Sequence, residues 1–115
     1  MRDFDINIKD NKIVIALLDG AMLVERAAIT RHEEAVNQDS SVSYYKMKLA
    51  ESKVLYTSLD YTWHRNHYNS VKKYACSDPV SKAELAVDKA KMVAVRAKYV
   101  VAAVDFEAAE QEWMK

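Results

Sequence analysis

Large apolar side chains recur every seven residues through the last third of the chain. The members of this repeat are Leu85, Met92, Tyr99, Phe106 and Trp113, with Val95, Ala102 and Ala109 three residues after the middle members. A strict seven-residue repeat keeps one stripe against a partner helix only if the two helices wrap around each other with a left-handed twist. Asp78 before Pro79 suits an N-cap followed by proline at the first helical position. The pattern therefore predicts a long helix over residues 79–114 in coiled-coil-like packing.

Glycine and proline are almost absent, with one of each in 115 residues. A sheet protein needs many turns, so this scarcity favours a few long helices with short connections. Hydrophobic residues make up 50% of the chain and charged residues 30%, a balance typical of a globular protein. We therefore predict an all-α fold in one domain, residues 1–115.

A second helix is predicted over residues 42–74 from an alternating three-four spacing. Its seam consists of Val42, Tyr45, Leu49, Ser52, Tyr56, Leu59 and Trp63. Because this spacing matches the seam of the last helix, we expect the two seams to pack on each other. The connection over residues 75–78 is long enough only to turn the chain back, so the two helices should form an antiparallel hairpin.

The first 37 residues admit two interpretations. Apolar and polar residues alternate from Phe4 to Lys9, and with residues 12–15 they could form a β-hairpin. A seven-residue spacing instead favours a helix over residues 12–37 preceded by an extended arm, residues 1–11; its members are Ile15, Met22, Ile29 and Val36. We prefer the helix after Ile13. Gly20 lies inside it and should weaken it by up to about 1 kcal/mol relative to alanine, with close helix packing as its simplest explanation.

Positive charge collects near the predicted hairpin turn, although the formal net charge of the chain is +0. The candidate nucleic-acid contacts are Arg65, Lys72, Lys73, Lys82, Lys89 and the aromatic Tyr68. Basic groups interleaved with aromatic rings suit single-stranded nucleic acid, because phosphates take the charge and bases stack on rings. The simpler interpretation is that these lysines form a solvated face, and that Trp63 belongs to the core.

Sites for metal, cofactor or catalysis are not evident in the sequence. His64 and His67 share a helix face and Cys76 follows, but a zinc site normally has four ligands at recognisable spacing. Asp88 falls on the last seam, where it is expected to set register rather than to catalyse a reaction. The chain lacks a phosphate-binding glycine loop and a nucleophile elbow. We predict a non-enzyme with no cofactor and no metal.

The cellular setting is suggested by what the sequence lacks. A single cysteine excludes an intramolecular disulfide, and the longest strongly apolar run, residues 13–18, is far too short to span a bilayer. The first residues do not resemble a signal peptide. We expect a soluble cytoplasmic protein without membrane contact, located in the host cytoplasm if it is phage-encoded.

Residues 46–113 resemble phage recombination mediators of the UvsY type and the short helical proteins that accompany single-strand annealing proteins. The resemblance is carried by the heptad periodicity, by the lysine-rich run that leads to Leu59-Asp60-Tyr61, and by Tyr99 with Asp105-Phe106. It implies a self-assembling ring or similar oligomer that binds single-stranded DNA. It also implies a recombinase and a single-strand binding protein as partners, with the basic residues near the turn as DNA contacts.

Two other functions fit the same sequence. One is a small inhibitor, such as a phage anti-defence protein, that docks on a partner through the acidic and apolar run over residues 105–113. The other is a structural component that only self-associates. Exposed apolar surface beyond the seams favours a homo-oligomer in each case.

Overall fold

A computed structural model describes residues 4–75 and 78–115, and its regular structure is entirely helical over those residues. The helices are α1 (Asn11–Gln38), α2 (Val42–Tyr74) and α3 (Pro79–Met114). Each end lies within one residue of the predicted bound. The all-α prediction is confirmed, and the β-hairpin alternative is wrong because residues 11–15 belong to α1. The first three residues of the predicted arm lie outside the described residues.

Polar side chains mark the helix ends. The Asp10 carboxylate accepts a hydrogen bond from the Lys12 amide at the start of α1, and Asp78 accepts one from the Ser81 amide at the start of α3. Between α1 and α2, Asp39 and Ser41 adopt left-handed backbone conformations, with φ of 49° and 55°. Short polar side chains tolerate this conformation better than most, so the link needs no glycine.

α2 is the central helix, with α1 and α3 packed on different sides of it. Among the described residues, no Cα of α1 lies within 8 Å of a Cα of α3. Lys46 Nζ of α2 lies 3.0 Å from Glu112 Oε2 of α3, so the start of α2 meets the end of α3 and the two helices are antiparallel. The molecule measures 59 × 25 × 22 Å. The three helices therefore form an elongated open layer and not a closed bundle.

The core between α2 and α3 uses the predicted stripe of α3 and an unpredicted stripe of α2. Its buried members are Met47, Val54, Tyr99, Ala102, Phe106 and Ala109. The α3 members belong to the seven-residue repeat and to the positions three after it. The α2 members do not belong to the predicted seam. The expectation that the two predicted seams pack on each other is therefore wrong for α2.

Part of the predicted seam of α2 instead borders α1. The Trp63 carbonyl accepts a hydrogen bond from Asn11 of α1, and Tyr45 and Ser52 border a hollow together with α1 residues. Leu59 is buried at 2% exposure, whereas Leu49 and Tyr56 are half-buried. A helix between two neighbours needs one apolar stripe for each of them. α2 carries both stripes, each with heptad spacing, and the spacing alone does not say which neighbour each one meets.

The residues of α1 that face α2 also follow a three-four alternation. They are buried or half-buried, and they are Val14, Leu18, Ala21, Glu25, Ala28, His32 and Ala35. The stripe that predicted α1 lies one residue along from this seam: Ile15, Met22, Ile29 and Val36 are between 37% and 52% exposed. Gly20 is exposed, and a Cβ built on it meets nothing within 4 Å, so the explanation by close helix packing is wrong.

Residues 4–10, here called the leading segment, run along α2 on the way to α1. The Phe4 ring lies edge-on to Phe106, with ring centroids 5.6 Å apart. Thr62 and Asn66, one helical turn or about 6 Å apart, donate hydrogen bonds to the Ile6 and Ile8 carbonyls. Two residues of extended chain span about 6.6 Å, so the spacing of the donors matches that of the carbonyls. The leading segment thereby contacts both α2 and α3.

Candidate nucleic-acid interface

The turn end of the hairpin projects beyond α1. The Asn11 side chain, in the first turn of α1, accepts a hydrogen bond from Asn66 of α2, and α1 then runs back along α2. Residues 67–74 of α2 and 79–89 of α3, here called the tip, therefore form a two-helix protrusion. Lys72, Lys73 and Lys82 are exposed on it, as is Lys89.

Basic side chains of α3 lie on both sides of its seam. Lys98, Asp105 and Glu112 recur every seven residues and line a groove between α1 and α3. Lys82, Lys89 and Arg96 also recur every seven residues, but on the opposite flank of the seam. They must therefore face away from the groove, toward the side that carries the leading segment.

The same side of the molecule carries basic residues of α2. Arg65 contacts the leading segment, and Lys72 lies seven residues further along the same side of α2. Together with the three α3 residues they form two rows of positive charge, here called the basic face: Arg65, Lys72, Lys82, Lys89 and Arg96. Residues seven apart on one helix are about 10 Å apart along its axis.

Arg65, a predicted nucleic-acid contact, binds the leading segment in the structure. Its Nη1 donates to both carboxylate oxygens of Asp5, each at 3.1 Å, and its Nη2 donates to the Ile6 carbonyl at 2.9 Å. Its guanidinium also lies 5.4 Å from the centroid of the Tyr61 ring. Arg65 holds the leading segment in place, and a phosphate would have to displace the Asp5 carboxylate to reach it.

Aromatic rings near the tip are mostly used inside the protein. Tyr61 stacks on Tyr99 with centroids 6.2 Å apart, and Trp63, half-buried, stacks on His67 at 5.0 Å. Tyr68 is half-buried, and Tyr74 at the end of α2 is 80% exposed. Basic and aromatic residues that alternate in the sequence thus lie on separate surfaces in the fold. The tyrosine rings at the tip are Tyr68 and Tyr74.

The histidines near the tip pair with carboxylates. His64 Nε2 lies 3.5 Å from Asp60, one turn earlier on α2, and His67 Nε2 lies 3.7 Å from Asp88 of α3. Over the part of the chain that the structure describes, no three His, Cys, Asp or Glu side chains are grouped to hold a metal ion. Cys76 lies outside that part. Asp88 is thus a link between the hairpin helices at the base of the tip.

The opposite end of the hairpin carries the acidic and apolar run of α3. Glu112 pairs with Lys46, and the Trp113 ring lies 5.7 Å from the Tyr44 ring while remaining 44% exposed. Leu85 and Met92, the first members of the heptad repeat, are half-buried on the tip half of α3. The repeat is therefore most buried in its middle, at Tyr99 and Phe106.

The groove between α1 and α3 was not apparent from the sequence. It encloses about 880 Å³, its floor is α2, and its α3 wall includes the small residues Ala97 and Ala108. On α1 it is lined by Glu25 and His32. The residues that line each wall recur with an ordinary seven-residue spacing in the sequence. Only the positions of the helices bring the two walls together as a groove.

None of the helices, over the described residues, is long and apolar enough to cross a membrane. Comparisons of the chain with protein-family models, with curated proteins and with solved structures find no match. The resemblance to UvsY-type mediators therefore stays a prediction.

Proposed function

We propose that this chain is a non-enzymatic, self-associating accessory protein that binds single-stranded DNA, the role that the resemblance to UvsY-type recombination mediators implies. The observation that carries the proposal is the exposed part of the basic face, where Lys72 of α2 and Lys82, Lys89 and Arg96 of α3 lie along one side of a narrow hairpin. A row of cations that follows a helix neutralises successive phosphates without reading bases. A recombinase and a single-strand binding protein are the partners that this role requires.

The tip adds two features that favour a single strand over a duplex. Tyr74 is 80% exposed, and Tyr68 lies half-buried nearby on the same helix. An exposed ring beside lysines can stack an unpaired base, which a duplex does not offer. A two-helix protrusion is also narrow enough for a flexible strand to follow from one helix to the other.

The test is fluorescence anisotropy of a labelled oligo-dT, titrated at several salt concentrations. Because each phosphate contact releases counterions, log K should fall linearly with log salt, by about 0.7 per contact for a single strand. Lys82→Ala with Lys89→Ala should weaken binding on every sequence and reduce that slope by at least about 1.

The matched control is Lys91→Ala with Lys98→Ala, on the same helix and with the same seven-residue spacing, but on the groove flank of the seam. It removes the same charge and should change the slope much less. Absence of binding at low salt, or equal losses in the two double variants, would overturn the proposal and favour an inhibitor or assembly role. A duplex of equal length should bind more weakly than oligo-dT.

A further inference from the structure

α1 exposes eight large apolar side chains. Its buried residues are Val14, Ala21 and Ala35, two of which are alanines. Its exposed large apolar residues are Ile13, Ile15, Leu17, Met22, Leu23, Val24, Ile29 and Val36. Among the helices of the described chain, α1 packs only on α2. The exposed apolar face of α1 therefore adds little to the stability of the single chain and is suited to another partner.

Four of these residues form a continuous row beside the groove. Met22, Ile29 and Val36 each lie three or four residues from Glu25 or His32, the α1 residues that line the groove, so they form its outer rim. Ile15 continues the row toward the start of α1. A seven-residue spacing keeps such a row aligned with a second helix laid alongside it, which makes an α-helix the natural occupant of the groove.

The charged residues beside this apolar row indicate which helix binds there. Next to the apolar row runs another heptad row, Lys12, Asp19, Arg26 and Glu33, in which the sign alternates from plus to minus at every step. All four side chains are exposed, and among the residues that the structure describes none of the four forms an ion pair. Charges flanking an apolar seam set the partner and the orientation of a coiled coil.

This alternation of charge makes the row complementary to the same row of a second α1 that runs in the opposite direction. If a second α1 lies antiparallel, with a two-fold axis passing between Met22 and Leu23, Lys12 comes level with Glu33 of the second copy. Asp19 likewise comes level with Arg26 of the second copy, so all four pairs are attractive. A parallel two-fold pair would place the charged rows of the two copies on opposite sides of the apolar seam, so these attractive pairs would not form.

We infer that the protein forms a two-fold dimer in which the exposed row of α1, Ile15, Met22, Ile29 and Val36, packs antiparallel against the same row of a second copy and covers the groove. A two-fold interface buries the same patch on both copies and closes at two subunits. Glu25 and His32 line the same groove and reduce its apolar character, which suits a reversible dimer. The inference gives the self-association in the proposed function a defined interface, and it does not depend on DNA binding.

The interface can be tested with charge reversals at exposed positions of the full-length chain. Light scattering after size exclusion should give the native protein twice the 13.1 kDa mass of one chain. Asp19→Arg places two arginines level with each other across the axis, and Arg26→Asp places two aspartates there. Each variant alone should raise the dimer dissociation constant at least tenfold while circular dichroism shows unchanged helicity.

Mixing the two variants provides the decisive measurement. A chain with arginine at both positions and a chain with aspartate at both positions are complementary, so the mixture should form a heterodimer that neither variant forms with itself. A native monomer at all concentrations, a larger ring, unaffected variants or a mixture that stays monomeric would each overturn the inference. These readouts contain no DNA, so their failure is distinct from failure of the binding proposal.

Discussion

At the residue scale, single polar side chains determine where helices begin and which surfaces are available. Asp10 and Asp78 each bind an amide of the first helical turn, where the backbone lacks its own acceptor. The hydrogen bonds of Arg65, in contrast, make a surface group unavailable. Its hydrogen bonds to Asp5 and to the Ile6 carbonyl attach the leading segment and remove this guanidinium from the otherwise exposed basic face.

The cap at Asp78 predicts a pH dependence of stability. The hydrogen bond from the Ser81 amide, followed by that from the Ser81 hydroxyl, lowers the pKa of Asp78 below its ordinary value of 3.8. A carboxylate whose pKa is lowered by folding contributes stability above the ordinary value and loses it as the pH falls through the folded-state pKa.

Urea unfolding of the native chain and of Asp78→Ala between pH 7 and pH 2 measures this contribution. We expect the variant to be less stable at neutral pH and the gap to narrow below pH 3.8, since a protonated cap binds amides less strongly. Asp78→Asn, which keeps an acceptor without the charge, should show a smaller and flatter difference. A gap that widens in acid would contradict this account.

At the element scale, each helix carries its own heptad pattern, but only α3 presents a single apolar seam to a single neighbour. α2 carries two seams because it lies between α1 and α3. α1 carries a buried row of smaller or polar residues next to an exposed row of larger apolar ones. The larger side chains predicted the helix, while the smaller ones hold it to α2.

Gly20 is a weak point of α1 that packing does not explain. It is exposed with open space around its Cα, so alanine can be accommodated there without moving a neighbour. Gly20→Ala should stabilise the protein by about 0.5–1 kcal/mol, because alanine loses less backbone entropy on entering a helix.

Chemical denaturation measures the effect of this substitution. Ala16→Gly, at another exposed position of the same helix, is the matched control and should destabilise by a similar amount. Destabilisation by Gly20→Ala would show that Gly20 serves a contact outside the single chain.

At the scale of the whole molecule, different regions of the open layer are covered by different numbers of neighbouring elements. The middle of α2 is covered by α1, by α3 and in part by the leading segment. Within the described residues, the tip consists of its two helices alone. The radius of gyration of 17.2 Å, against about 13 Å for a compact domain of this length, reflects the same elongation.

Amide hydrogen exchange should follow this division. Amides with few packed neighbours open locally, whereas central ones exchange only through larger unfolding events. We expect residues 68–74 and 80–88 to exchange at least tenfold faster than residues 50–60, measured by mass spectrometry of peptides after timed labelling. Equal protection in the two regions would show that the tip is supported by another surface, such as a second copy.

The sequence by itself determined the helices and their ends, because helix formation and capping depend on residues three to seven apart. The apolar spacing within each of the three segments, the cap at Asp78 and the scarcity of glycine were enough for three helices with bounds correct to one residue. The tertiary structure alone decided which stripe of α2 meets α3, that Arg65 binds a carboxylate 60 residues earlier, and that the large apolar row of α1 stays exposed. Those outcomes depend on competition between surfaces of similar apolar character, and only the packed chain resolves which of them are buried.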